Sequence, residues 1–141
     1  MNEIPTIITE RVDDIPLLLE QRQRMSLPAL FDDHFPTHGN GHGLSLGWVS
    51  TIWLSSIVSR GDHRLVHVEP WVGNRLWTLR ATTGQAVTRV DFTDDRLEIV
   101  LRRLSHDERW GAFESALKQH TVRVYDLSTA RVHVDSTSAS A

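Results

Sequence analysis

From Phe35 to Ser59 the chain carries no Asp, Glu, Lys or Arg, and a run of that kind has to be buried in a core or a membrane. It contains Pro36 and four glycines, and its dense apolar part, Leu44 to Val58, is shorter than the roughly 20 residues a spanning helix needs. The membrane reading therefore gives way to a buried core helix. Ser45 can cap it, and Gly61 stops it. Between them Leu46, Val49, Trp53 and Ile57 form one i+3/i+4 row, while Trp48, Ile52 and Leu54 cover adjoining angles. A helix apolar nearly all round sets the plan for the rest of the chain, which must supply helices to surround it.

The rest of the sequence provides them. With 141 residues, 40% hydrophobic and 23% charged, the chain is long enough for one domain that buries roughly two-thirds of its unfolded surface. A first helix follows Asp13-Asp14 and ends near Met25, and a second runs from Ser26-Leu27-Pro28 to His34. Pro70 and Gly84 bracket a fourth, with Val68, Val72, Leu76 and Leu79 on one face and Arg75 and Arg80 off it. Thr93 before Asp94-Asp95 opens a fifth, with Leu97, Val100, Leu101 and Leu104 at core spacing. Ser105 and Glu108 form a capping box for a sixth, whose core face runs Trp110, Phe113, Leu117 and on to Val124. The last segment differs, because residues 131–135 alternate with period two and residues 136–141 have nothing to bury. The expected fold is mainly α: a compact bundle of about six helices with a single orphan β-strand near the C-terminus. Residues 1–12 read as a lead-in, 13–127 as the helical domain, and 128–141 as a strand and a disordered tail.

Composition narrows the chemistry. There is no cysteine, which excludes disulfides, a thiolate nucleophile and Cys-based zinc sites and fits a reducing cytoplasm. The N-terminus has no basic segment leading into an apolar core, so it does not read as a secretory signal. His34, His38 and His42 are spaced i, i+4, i+8, but Pro36 and the glycines forbid the helix that would align them for metal. The glycine run 39–43 lacks the Lys and the preceding strand of a phosphate loop. The pairs Asp13-Asp14 and Asp94-Asp95 stand where helix N-termini favour negative charge; Asp32-Asp33 has no such explanation. Four of the five tryptophans fit core rows, and Trp77 alone is placed for exposure.

Charge is distributed unevenly. Residues 1–59 hold seven acids against three arginines, whereas residues 60–89 hold Arg60, Arg64, Arg75, Arg80 and Arg89 against Asp62 and Glu69, in a chain of net charge -3. Those five arginines are the candidate DNA contacts, and the third and fourth helices, joined across Gly61, could form a helix-turn-helix. Replacing Arg75 and Arg80 is expected to weaken phosphate contact without unfolding the domain. A solvated helix face is the plainer reading of the same window.

Six segments carry a resemblance: residues 9–18 (TERVDDIPLL), 34–40 (HFPTHGN), 43–48 (GLSLGW), 61–65 (GDHRL), 91–97 (DFTDDRL) and 135–137 (DST). Together they resemble the N-terminal region of bacterial insertion-sequence transposases of the DDE class, in order and spacing over residues 9–137. The resemblance implies that the helical region binds the terminal inverted repeats of the element and precedes a catalytic domain of RNase H-like fold. It also implies that Asp135 is the first of three metal-binding carboxylates, which hold Mg2+ for activation of water and then of a DNA 3′ hydroxyl.

The second Asp and the Glu of that triad are not in this sequence. The expectation is a chain that is no enzyme by itself, needs no cofactor, and has transposon-end DNA as its partner, with full-length transposase or a second copy as possible others and no membrane. The orphan strand would be the first strand of the absent sheet. The alternatives are a helical protein-interaction or regulatory domain whose arginines are merely solvated, or the remnant of a gene without function.

Overall fold

The computed structural model describes residues 9–36 and 43–125, and the expected strand, the tail, Asp135, His38 and His42 lie outside them. Among the described residues there are seven α-helices and two short 3-10 turns and no strand, so the mainly α expectation stands. The helices are α1 (Ile15–Arg24), α2 (Leu27–His34), α3 (Leu46–Arg60), α4 (Val68–Gly73), α5 (Leu76–Thr83), α6 (Asp94–Leu104) and α7 (Asp107–Val124). The 3-10 turns, Leu65–His67 and Arg89–Phe92, precede α4 and α6.

Helix α3, uncharged except for Arg60 at its end, is the centre, packed against α1 and α2. Burying it raises the question of its hydroxyls, and the helix answers internally for three of the four buried ones, leaving Ser50 Oγ without a hydrogen-bond partner. Thr51 donates to the Gly47 carbonyl at 2.7 Å, Ser55 to that of Thr51 at 2.9 Å, and Ser56 to that of Trp53 at 2.6 Å. Its N-terminus is capped twice: the Trp48 amide donates to Ser45 Oγ at 3.2 Å, and the Gly47 amide to Asp32 Oδ1 of α2 at 2.7 Å. Asp32 thus serves a helix N-terminus, although α2 rather than α3 carries it. Gly47 is required there, because a Cβ would meet the Pro28 carbonyl oxygen and lie 2.8 Å from the Asp32 carboxyl.

The C-terminal helices close the core on the other side of α2. Phe113 of α7 stacks on Phe31 with centroids 4.4 Å apart and sits 5.8 Å from Phe35. A second joint is Asp91, only 2% exposed. Its carboxylate accepts from the Leu44 amide at 3.1 Å and the Thr88 hydroxyl at 2.8 Å, and Arg96 lies 3.5 Å away. It ties the start of α3 to the turn before α6.

Three expected details are corrected. The fourth helix is two helices, because Gly73-Asn74 makes a turn that allows the Arg89 side chain to lie over the glycine. Despite the break, Val68, Val72 and Leu79 are buried and Leu76 packs against the core, as the single-helix row anticipated. At the sixth expected helix the cap is His106, whose Nδ1 accepts from the Arg109 amide, while Ser105 turns back to donate to the Leu101 carbonyl. Leu101, placed in the core row of its helix, is 49% exposed, since Leu97 and Val100 already fill the contact.

Two glycines test this packing. Gly47→Ala should destabilise the domain by about 1–3 kcal/mol through overpacking, whereas Gly111→Ala, in open space on α7, should stabilise it by up to about 1 kcal/mol. Urea melts followed by circular dichroism measure both.

Candidate nucleic-acid interface

The end of α3, the segment before α1 and the α4–α5 turn meet around an open concavity of about 770 Å3. Arg11, Arg60 and Arg75 line it together with Asp13, Asp14 and His67. Asp13 is held at positive φ (49°) beside the arginines, where it accepts from Arg11 Nε at 2.9 Å and lies 3.8 Å from Arg75. Asp14 accepts from Ser59 of α3 at 2.7 Å and makes no side-chain cap on α1. The first acidic pair is therefore a tether between segments more than a helix cap.

Arg75 is part of the fold. Its guanidinium lies 4.9 Å above the Trp71 ring and donates to the Trp71 carbonyl at 3.2 Å. Burial holds it below the usual arginine range; Arg60 and Arg11 push the same way, and Asp13 and Glu10 oppose them. Glu10 in turn caps α5, accepting from the amides of Trp77 and Thr78 at 3.0 and 2.8 Å. Burial raises its pKa, but those bonds and the Thr78 hydroxyl outweigh it and leave the carboxyl below its ordinary value.

The other three arginines of the basic window have separate local partners. Arg64 lies 3.4 Å from Asp62, whose carboxylate is held well below the usual range by the hydrogen bond from His67 and then by those from Arg64. Arg80 Nε donates to the Val87 carbonyl at 2.9 Å, fastening the loop after α5. Arg89 lies 3.8 Å from Glu69 and covers Gly73. The structure thus brings Arg60 and Arg75 into one concavity and places Arg64, Arg80 and Arg89 outside its lining. The helix-turn-helix reading loses its recognition helix, because α4 is six residues long and buries Val68, Trp71 and Val72.

A second concavity, of about 270 Å3, lies at the corner between α6 and α7 and is lined by Arg102, Arg103, His106 and Arg109 over Phe35 and Pro36. No carboxylate among the described residues lines it. Counting charge along the chain misses it, since Asp94, Asp95, Glu98, Asp107 and Glu108 dilute the same window; the adjacent Arg102-Arg103 was the available signal. Trp77 is 61% exposed, as its position off the main row indicated. His34 Nδ1 donates to the Leu30 carbonyl within α2 at 2.9 Å. Among the described residues no three His, Asp or Glu gather to hold a metal ion, and no helix is long and apolar enough to cross a membrane.

No family model matches the chain, and neither a curated protein nor a solved structure does.

Two of the lining arginines, Arg60 and Arg75, should behave differently. Arg75→Ala should destabilise the domain by about 1–3 kcal/mol, since it strips packing from Trp71 and a partner from Asp13; Arg60→Ala, at an exposed helix end, should stay within about 0.5 kcal/mol. Parallel urea melts check the contrast.

Proposed function

We propose that this domain is the DNA-binding and assembly region of a DDE-type insertion-sequence transposase, acting in DNA transposition on the terminal inverted repeats. The observation that carries the reading is the ordered run of motifs through residues 9–137. The arginine-lined concavities support it, because guanidinium groups suit bidentate contact with phosphate. Arg60, exposed at the end of α3 and without an ion pair among the described residues, is the leading contact. Arg75 positions the wall beside it, and Arg64, Arg80 and Arg89 contribute positive field while they hold local structure. The chain would work in the cytoplasm, where its DNA is, and Asp135 would serve Mg2+ only together with the remaining carboxylates of a complete catalytic domain.

A second reading, a protein-interaction domain, is favoured by one observation. Leu54 and Val58, one turn apart on the central helix, are 39% and 55% exposed. An apolar pair on that helix offers a docking face for a catalytic domain or another partner.

Competition binding separates the two. Labelled duplex carrying the inverted repeat should be displaced by unlabelled repeat at least about tenfold more effectively than by a scrambled duplex, a difference of about 1.4 kcal/mol. Equal displacement by both duplexes would remove the transposon-end reading.

A further inference from the structure

The corner between α6 and α7 gathers positive charge that the fold itself does not use. Arg102 and Arg103 lie in the last turn of α6, where cations complement the negative end of the helix dipole. That explains two of the three arginines. Arg109 lies in the first turn of α7, where the dipole disfavours a cation, yet it lines the same concavity as the other two. His106 stands between them, with its Nδ1 turned to the Arg109 amide as the cap of α7.

Nothing on the described surface neutralises the group. Arg11, Arg24, Arg64, Arg75, Arg89 and Arg96 each have a carboxylate within 4.0 Å, whereas Arg102, Arg103 and Arg109 have none among the described residues. Asp107 and Glu108 are the nearest acids in sequence, and neither lines the concavity. Three exposed guanidinium groups held together without a counter-charge repel one another, and an anion seated among them removes that cost.

The shape says which anion. At about 270 Å3 the space is below the roughly 300–1,000 Å3 of pockets for drug-sized molecules and is open to solvent on one side. Phe35, beneath it, is 2% exposed and presents no ring face to a stacking base. The site offers charge and fork-shaped donors, without an aromatic platform and without the Asn or Gln that read adenine. We propose that the α6–α7 corner is a sequence-independent contact for the phosphodiester backbone of nucleic acid, made by Arg102, Arg103 and Arg109. This deepens the DNA-binding reading above and rests on it. It adds a second anchoring point, which the basic window of residues 60–89 does not include.

Fluorescence anisotropy of the whole chain, with an inverted-repeat duplex and a scrambled duplex of equal length between 50 and 200 mM salt, tests it. The triple variant Arg102→Ala/Arg103→Ala/Arg109→Ala should lose up to about 2.7 from the magnitude of the log affinity against log salt slope, about 0.9 for each phosphate released. The loss should be the same on both duplexes, because backbone contacts carry no sequence information. The Arg→Lys triple variant should keep most of the slope, since it keeps the charges. All three side chains are exposed, so circular dichroism should show an unchanged fold. A slope unaltered in the Ala variant, or absence of duplex binding by the unmodified chain, would overturn the proposal. If the slope falls on both duplexes but the repeat is not preferred, the corner contact stands and the transposon-end reading fails.

Discussion

The domain depends on the close approach of α2 to α3 at Gly47. There the backbone of the central helix comes against the Pro28 carbonyl, and Asp32 takes its amide proton. A side chain at that position would lift the two helices apart and break the cap that Asp32 supplies. The same contact fixes α3 in a place where Thr51, Ser55 and Ser56 are satisfied within the helix, through bonds to carbonyls three and four residues earlier. Once α3 is seated, α2 presents Phe31 and Phe35 to Phe113, and α7 is anchored by that aromatic cluster. Asp91 ties the beginning of α3 to the turn that starts α6. Several residues of the sequence motifs, among them Glu10, Gly47 and Asp91, are therefore joints between elements of the fold.

Much of this was legible in the sequence, because helix caps and apolar rows are local signals. Ser45 and Thr93 cap their helices as expected, and Gly61 and Gly84 end theirs in the left-handed conformation. The broken fourth helix was less legible. Its apolar row continues across the break, and only Gly73-Asn74 marked the turn. The caps supplied through space, Asp32 on α3 and Glu10 on α5, have no signature in spacing, since their partners stand 15 and 67 residues or more away. Ser105 and Glu108 carried a valid local signal, yet His106 took the capping role because the chain turns one residue later.

The candidate interface was legible only in part, for a related reason. Charge counted by window records how many arginines a segment has, while binding depends on which of them share a surface and lack a carboxylate. Arg80 and Arg89 have structural partners, Arg75 is packed on Trp71, and Arg60 is joined by Arg11 from a segment that the window count placed in the acidic half. The α6–α7 corner was hidden because the acids that dilute its window, Asp94, Asp95, Glu98, Asp107 and Glu108, do not line it. Exposed apolar residues follow the same logic: Leu54 and Val58 belong to a helix apolar nearly all round, and the surrounding helices leave that side uncovered.

The proposal joins both concavities: arginines on the helical surface would hold the DNA backbone, and the apolar core would keep their helices in register. Amide chemical-shift mapping of the 15N-labelled chain, titrated with an inverted-repeat duplex, tests that account most directly. It predicts that the largest shifts cluster at residues 11, 60 and 75 and at residues 102–109, with the buried core of α3 unperturbed. Shifts confined to the face around Leu54 and Val58, or none on adding saturating duplex, would contradict it.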